Sequence, residues 1–327
     1  GEDGMDKNIW KQLYTLINEW IQLGAWKFIR SNDFVGLEIN GATYYCTIMG
    51  QLGDCIGFSI YEGEQGYRDL NSISLEYEED RVIQYMMFDQ TCLTFYMGDR
   101  EEVPSSQRQM MKTLGFKYRG KGNWPYFLSF QSRFYPYEIN DYQAKIMIQV
   151  LEQLIPLMKA YINKEVVVDF DQDEMLYAHN GIYEARALPP VKEKFPTLVI
   201  TDKGNLETIP QSFRQFIIDL AYLKGGIVEA GYDRPISGLV LLAMELESQE
   251  IVYMNLLKVE EEQSKACLDM FYELLEDYGK PTEIMIRNPR VFCALSSICE
   301  VCGTKIYMTA LPMIDNILDE MEYYMSK

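Results

Sequence analysis

Apolar residues recur at helical spacing from the start of the chain. Trp10, Leu13, Tyr14, Ile17, Trp20 and Ile21 fall on one face and predict an amphipathic helix over 6–23. The period then shortens to that of strands. "FVGLEI", "ATYYCTIMG" and "CIGFSIYEG" alternate with turn signals, and Asn40-Gly41 between the first two is the strongest hairpin signal in the chain. A helix is expected over 64–74, strands over 82–87 and 91–97, and a helix over 104–114 that Pro104 opens with Ser105 and Ser106. "GFKYR" and "WPYFLSF", joined by the Gly-rich turn "GKGN", predict another hairpin. Ile146, Val150, Leu154 and Met158 then share a face of a helix over 140–161, with Asp141 near its start and Pro156 expected to kink it.

"NKEVVVDFDQDEMLYAHNG" and "ARALPPVKEKFP" read as a connecting hairpin and a Pro-rich linker. Beyond them the pattern is an α/β alternation. "TLVITD" predicts a strand, and 211–228 a helix with Phe213, Phe216, Ile217, Leu220 and Ala221 inward. "SGLVLLAMELE" and "EIVYMNLLKV" pair as a hairpin. Cys267, Met270, Phe271, Leu274, Leu275 and Tyr278 mark a helix that Gly279 and Pro281 end. A strand "EIMIRN", a helix "PRVFCALSSICEVCG", a strand "KIYMTAL" and a last helix through Ile314, Ile317, Leu318 and Met321 follow. The expected fold class is α+β in two domains. An N-terminal domain over 5–163 has a mainly antiparallel sheet with flanking helices, 164–191 connects, and a C-terminal α/β domain with a mixed sheet covers 192–327.

At 327 residues and 48% hydrophobic content, each half can bury a core of its own. No apolar run reaches the roughly 18 residues of a membrane span. "GEDGMDKNIWKQL" has no charged-then-apolar leader, and Gly1–Gly4 before Met5 read as an addition to the native start. Seven cysteines, an odd number without framework spacing, suit a reduced compartment, so a cytoplasmic protein is expected. The net charge of −19 opposes anionic membranes and weighs against nucleic acid as a partner.

The catalytic inventory is thin. A single histidine, His179, confines every His-dependent mechanism to one position, and no G-x-S-x-G, Walker A, G-x-G-x-x-G or H-E-x-x-H occurs. Asp169, Asp171 and Asp173 resemble a calcium loop, but Glu174 stands where Gly is needed and Asn180 where a bidentate Glu is needed. Cys299-x-x-Cys302 lacks the second pair that structural zinc wants and reads as buried small hydrophobes. No metal and no cofactor is expected.

One window stands apart. Val103–Tyr137 holds Arg108, Lys112, Lys117, Arg119, Lys121 and Arg133 with no Asp or Glu, in a chain of 30 basic and 49 acidic residues. A half-buried hairpin accounts for its aromatic alternation. The absence of acid does not follow from that, and it points to a docking surface of Lys117, Arg119, Lys121, Trp124 and Arg133. An acidic protein partner or acidic segment fits it. A cationic groove with aromatic platforms also holds single-stranded nucleic acid, which the global charge disfavours.

Two stretches of the first half, "CTIMGQLGDCIGFSIYEGEQGY" and "LGFKYRGKGNWPYFLSFQSRFYPYEI", resemble a family of bacterial proteins built from two adjoining domains of unknown function. "LVITDKGNLE", "LLEDYGKPTEIMI" and "GTKIYMTALPMIDNILDEM" extend the resemblance over most of the chain. It implies a domain layout and no activity. The order of elements from Gly238 onward is also loosely similar to RNase H-like folds, whose members gather acidic residues on two metal ions. That likeness implies Glu245 or Glu247 on the first strand and Asp315 or Asp319 on the last helix. The central strand end, where another acid belongs, reads Arg287-Asn288. The leading expectation is therefore a non-enzymatic binding or adaptor module. The alternative is a metal-dependent nuclease or phosphotransfer enzyme using Glu245, Glu247 and Asp315.

Overall fold

The computed structural model describes residues 5–327, so the reading of Gly1–Gly4 lies outside the described residues. In chain order the elements are α1 (Lys7–Leu23), β1 (Val35–Ile39), β2 (Ala42–Met49), β3 (Gly57–Glu62), α2 (Gly63–Ile73), α3 (Asp80–Phe88), β4 (Cys92–Gly98), α4 (Ser105–Leu114), β5 (Trp124–Phe130), β6 (Tyr137–Glu138), α5 (Asp141–Ile162), β7 (Glu174–His179) and β8 (Ile182–Ala187). Then come β9 (Gln215–Ile227), β10 (Ile236–Glu245), β11 (Ile251–Leu256), α6 (Gln263–Tyr278), β12 (Glu283–Ile286), α7 (Pro289–Cys302), β13 (Lys305–Met308) and α8 (Pro312–Met325). They form two compact units. The first takes the chain through Ser74, Gln90–Gln131 and Pro136–Lys192; the second takes Leu75–Asp89, Ser132–Tyr135 and Glu193–Lys327. Among the described residues no helix is long and apolar enough to cross a membrane.

The first unit is an eight-stranded sheet in the order β6-β5-β4-β3-β2-β1-β7-β8, antiparallel except where β1 meets β7. The Asn40-Gly41 turn joins β1 to β2 with both residues at positive φ, as its sequence signal requires. α1 and α5 pack together and bury Trp10, Tyr14, Trp20, Leu151 and Met158 against the strands. Asp6 caps α1 by accepting the Asn8 and Ile9 N–H groups, and Asn140 with Gln143 forms a capping box on α5.

In the second unit the order is β11-β10-β9-β12-β13, with β12 parallel to both its neighbours. This mixed sheet with α8 on one face fits the loose RNase H-like likeness. Ile217, Ala221 and Leu223 of β9 face Ile314 and Leu318 of α8. On the opposite pleat, Phe216 meets Tyr278 of α6 at 5.6 Å and Tyr222 stacks on Tyr85 of α3 at 5.3 Å.

Four expected elements differ. Within 211–228, Gln215–Ile227 form the central strand β9, not a helix, and Phe213 is 99% exposed rather than inward. A strand covered on both faces is apolar at every position, so helical spacing can be found in it by accident. Residues 82–87 lie in helix α3, and "TLVITD" forms no strand. "GFKYR" is loop, and β5 pairs with β4 and β6 instead. The seven cysteines are free thiols, and Cys299 and Cys302 are buried on α7 as small apolar groups.

Candidate functional site: a cationic cleft walled by aromatic rings

On the first unit, α4 ends at Gly115 in left-handed backbone (φ +80°), and the Phe116 N–H returns to the Met111 carbonyl at 2.9 Å. The closure brings the Phe116 ring 5.4 Å from Tyr14 and leaves Lys117 exposed. Side chains keep alternating, so Tyr118 is half-buried and Arg119 exposed. The Tyr118 hydroxyl donates to Asn18 at 2.7 Å. Burial pushes that phenol up to about 12 against the opposing pull of the Asn18 bond, so the ring is a neutral wall at neutral pH.

The loop closes through its own polar groups. Asn123 Nδ2 donates to the Arg119 carbonyl at 2.9 Å, and Asp99 accepts the Gly122 N–H at 2.8 Å. Trp124 follows as the first residue of β5, its ring 6.2 Å from Tyr118 and 6.0 Å from the Arg100 guanidinium. Both rings line a cleft of about 330 Å³, together with Arg100, Arg108, Lys112, Lys117 and Arg119. Among the described residues none of the five forms an ion pair, and Nε of Arg108 is buried without a hydrogen-bond partner. Of the three carboxylates closest in sequence, Asp99 and Glu102 are engaged with the N–H groups of Gly122 and Asp99, and Glu101 is exposed. Five uncompensated cations in a half-enclosed space focus a positive field there, whatever the sign of the whole chain.

Of the expected docking residues, Lys117, Arg119 and Trp124 line this cleft. Lys121 is exposed in the adjoining turn. Arg133 is not on an accessible surface. It is 6% exposed, belongs to the second unit, and donates from Nη1 and Nη2 to the Lys258 and Leu257 carbonyls at 2.7 Å each. The positive φ of 76° at Arg133, which no residue type in that stretch advertises, turns the chain at that point. Arg100 lay outside the acid-free window and was reachable only through the strand register that sets Gly98 opposite Trp124.

The second unit holds the acidic candidates. Glu245 pairs with Arg214, and Glu247 is exposed. Glu245 lies opposite Phe216, three residues along β9 from Asp219, which is about 10 Å at the usual strand rise. Asp315, on the first turn of α8, meets Arg287 Nη1 at 2.7 Å. Arg287 is itself held by Asp219, a carboxylate that sequence reasoning missed because its segment read as helix. Two-metal chemistry needs converging acids around an open position. Among the described residues no three His, Cys, Asp or Glu side chains are arranged to hold a metal ion, and a guanidinium stands between the acids nearest to that arrangement.

Residues 10–178 match the family described as Domain of unknown function (DUF7309). The chain belongs to the DUF7309 family. The cationic cleft lies within the matched residues, so it is part of what the DUF7309 portion folds into. Residues 204–322 match a second description, Domain of unknown function (DUF6930). No curated protein matches the chain. Among solved structures, the HTLV-2 integrase catalytic core domain in complex with magnesium is similar at 16% identity and a TM-score of 0.26, over 34% of this chain and 69% of that one. At that level no chemistry transfers from it to this DUF7309 protein.

Proposed function

We propose that this protein is a non-enzymatic binding module whose first unit docks an acidic segment of another protein in the cationic cleft. The observation that carries the reading is the set of five cations without acidic partners around the Tyr118 and Trp124 rings. Carboxylates of an extended partner would meet Lys112, Lys117 and Arg119, while its apolar side chains would lie on the rings. Such contacts give orientation and a fast encounter more than raw affinity.

The test uses Lys117→Glu/Arg119→Glu, a double reversal of two exposed side chains. Wild type and variant serve as bait in bacterial lysate, with and without nuclease. Capture of a protein that survives nuclease and is lost in the variant supports docking through the cleft. Equal capture by both baits defeats it, and capture abolished by nuclease assigns the cleft to nucleic acid instead.

A further inference from the structure

In the second unit three carboxylates from three elements converge on one guanidinium. Arg287 Nε and Nη2 meet Oδ2 of Asp219 at 3.0 and 2.8 Å, and Nη1 lies 2.7 Å from Asp315 and 3.6 Å from Glu79. The strand register explains why they meet. β12 pairs in parallel with β9, Met285 beside Ile217, so one pleat further Arg287 lies beside Asp219 on the face covered by α8. Asp315 comes from the first turn of α8 and Glu79 is the residue before α3. Asp219 and the Arg287 side chain are nearly excluded from solvent, whereas Glu79 and Asp315 are part-exposed and line a cleft of about 610 Å³.

Carboxylates are the ligand type a hard divalent cation takes, but with the guanidinium between them these three are not arranged to hold a metal ion. Here a single positive charge, covalently attached, takes the centre. We propose that Arg287 is the resident cation of a site built from Asp219, Asp315 and Glu79, filling the place of a divalent ion and excluding one. A guanidinium stays protonated at any pH the protein survives, and its planar fork satisfies Asp219 through two N–H groups while a third nitrogen serves the cleft. Neither pH nor metal concentration can evict it. The site is therefore a cation site with a built-in occupant. Burial pushes the Asp219 carboxyl up even with Arg287 beside it, so an uncompensated Asp219 would be costly and the vacated site should accept any small cation that fits.

The experiment compares full-length wild type, Arg287→Ala and Arg287→Ala/Asp315→Asn. Manganese uptake is read by calorimetry and by electron paramagnetic resonance, and thermal unfolding is followed with and without manganese or millimolar guanidinium ion. Wild type is expected to take up no manganese through these residues. Arg287→Ala should melt lower than wild type and regain Tm by about 5–10 °C at a hundredfold excess of cation over its Kd. The double variant should lose that shift. Where Arg287→Ala does not fold unaided, recovery of folded protein on dilution from urea replaces Tm, and recovery that requires either cation supports the proposal. It is overturned if neither cation rescues Arg287→Ala, if the double variant is rescued equally, or if wild type takes up manganese in a manner that Asp315→Asn abolishes.

Discussion

Arg290 Nη2 donates to Oδ2 of Asp89 at 2.9 Å inside the second unit, where Asp89 is 2% exposed. The other oxygen of Asp89 accepts from Ser132 at 2.7 Å, Tyr222 at 2.8 Å and Gln263 at 2.9 Å. Arg290 in turn donates to Tyr85 at 2.7 Å and Ser264 at 3.1 Å. Asp89 thus ties the end of α3, the segment Ser132–Tyr135, the sheet and both α6 and α7 into one hydrogen-bonded knot. A buried charge is tolerable only when it is paired and its remaining lone pairs are satisfied, and both conditions hold here.

Burial alone would raise the Asp89 carboxyl. Lys194 and Arg290, with the bonds from Gln263 and Ser132, outweigh it and hold the group at about 2. A folded value below the unfolded one means stability that is fully present above the ordinary carboxylate range and is lost as pH falls toward 2. The loss amounts to about 2 kcal/mol between roughly pH 5 and pH 2. All four tryptophans lie in the first unit, so tryptophan emission follows that unit, and the amide-exchange protection of β9 is the signal that follows the second separately. Asp89→Asn should flatten the acid limb of that signal; an identical limb in both proteins would remove Asp89 as its source.

Truncating the partner should cost as much as a large apolar deletion in the same unit. Arg290→Ala leaves Asp89 with the Lys194 ammonium at 3.9 Å as its charged partner, beside the bonds from Ser132, Tyr222 and Gln263, and takes a donor from Tyr85. The expected destabilisation is about 3–5 kcal/mol in urea unfolding. A cost below about 1 kcal/mol would mean that water enters and replaces the guanidinium.

The same knot predicts that the second unit cannot be cut out as its one long segment. A fragment starting at Glu193 keeps Tyr222, Gln263 and Arg290 but loses Tyr85, Asp89 and Ser132. It should show little near-ultraviolet dichroism and fast amide exchange in β9. A fragment with a cooperative melt would show that α3 is dispensable.

How much of this was legible beforehand depends on the local signal. Helices α1 and α6 and the Asn40-Gly41 hairpin were readable because caps, periods and turn residues agree there. β9 was not, because a central strand advertises burial and not period, and with it went Asp219, the acid that meets Arg287. Membership of 75–89 and 132–135 in the second unit depends on contacts far apart in sequence, such as Arg290 with Asp89. For the cleft, Lys117, Arg119 and Trp124 were visible as an acid-free run. Arg133 shared that run and yet is buried, since charge composition records nothing about a turn at positive φ.

Within the first sheet, Gly57 is fixed by close approach. It opens β3 opposite Tyr96, and a Cβ there would collide with the Phe95 carbonyl oxygen, which is backbone and cannot swing aside. Gly57→Ala should therefore cost about 1–3 kcal/mol by tryptophan-detected urea unfolding. No loss of stability would mean that β3 and β4 can separate at that end without penalty.

The cleft offers an optical handle of its own. Trp10 and Trp20 are fully buried and Trp26 is 9% exposed, which leaves the half-buried Trp124 as the tryptophan most open to a ligand. An acidic chain that settles on the cleft should change Trp124 emission, and polyglutamate serves as the probe. Exposed charges are screened within about 8 Å at physiological ionic strength, so the apparent Kd should rise steeply with added salt. Trp124→Phe should abolish the optical change while keeping binding by calorimetry, because the cations remain. Lys117→Glu/Arg119→Glu should abolish both and leave urea stability within about 0.5 kcal/mol of wild type, since neither side chain makes an ion pair in the fold. Polyglutamate binding that ignores salt, or that survives the charge reversal unchanged, would move the docking surface away from these residues.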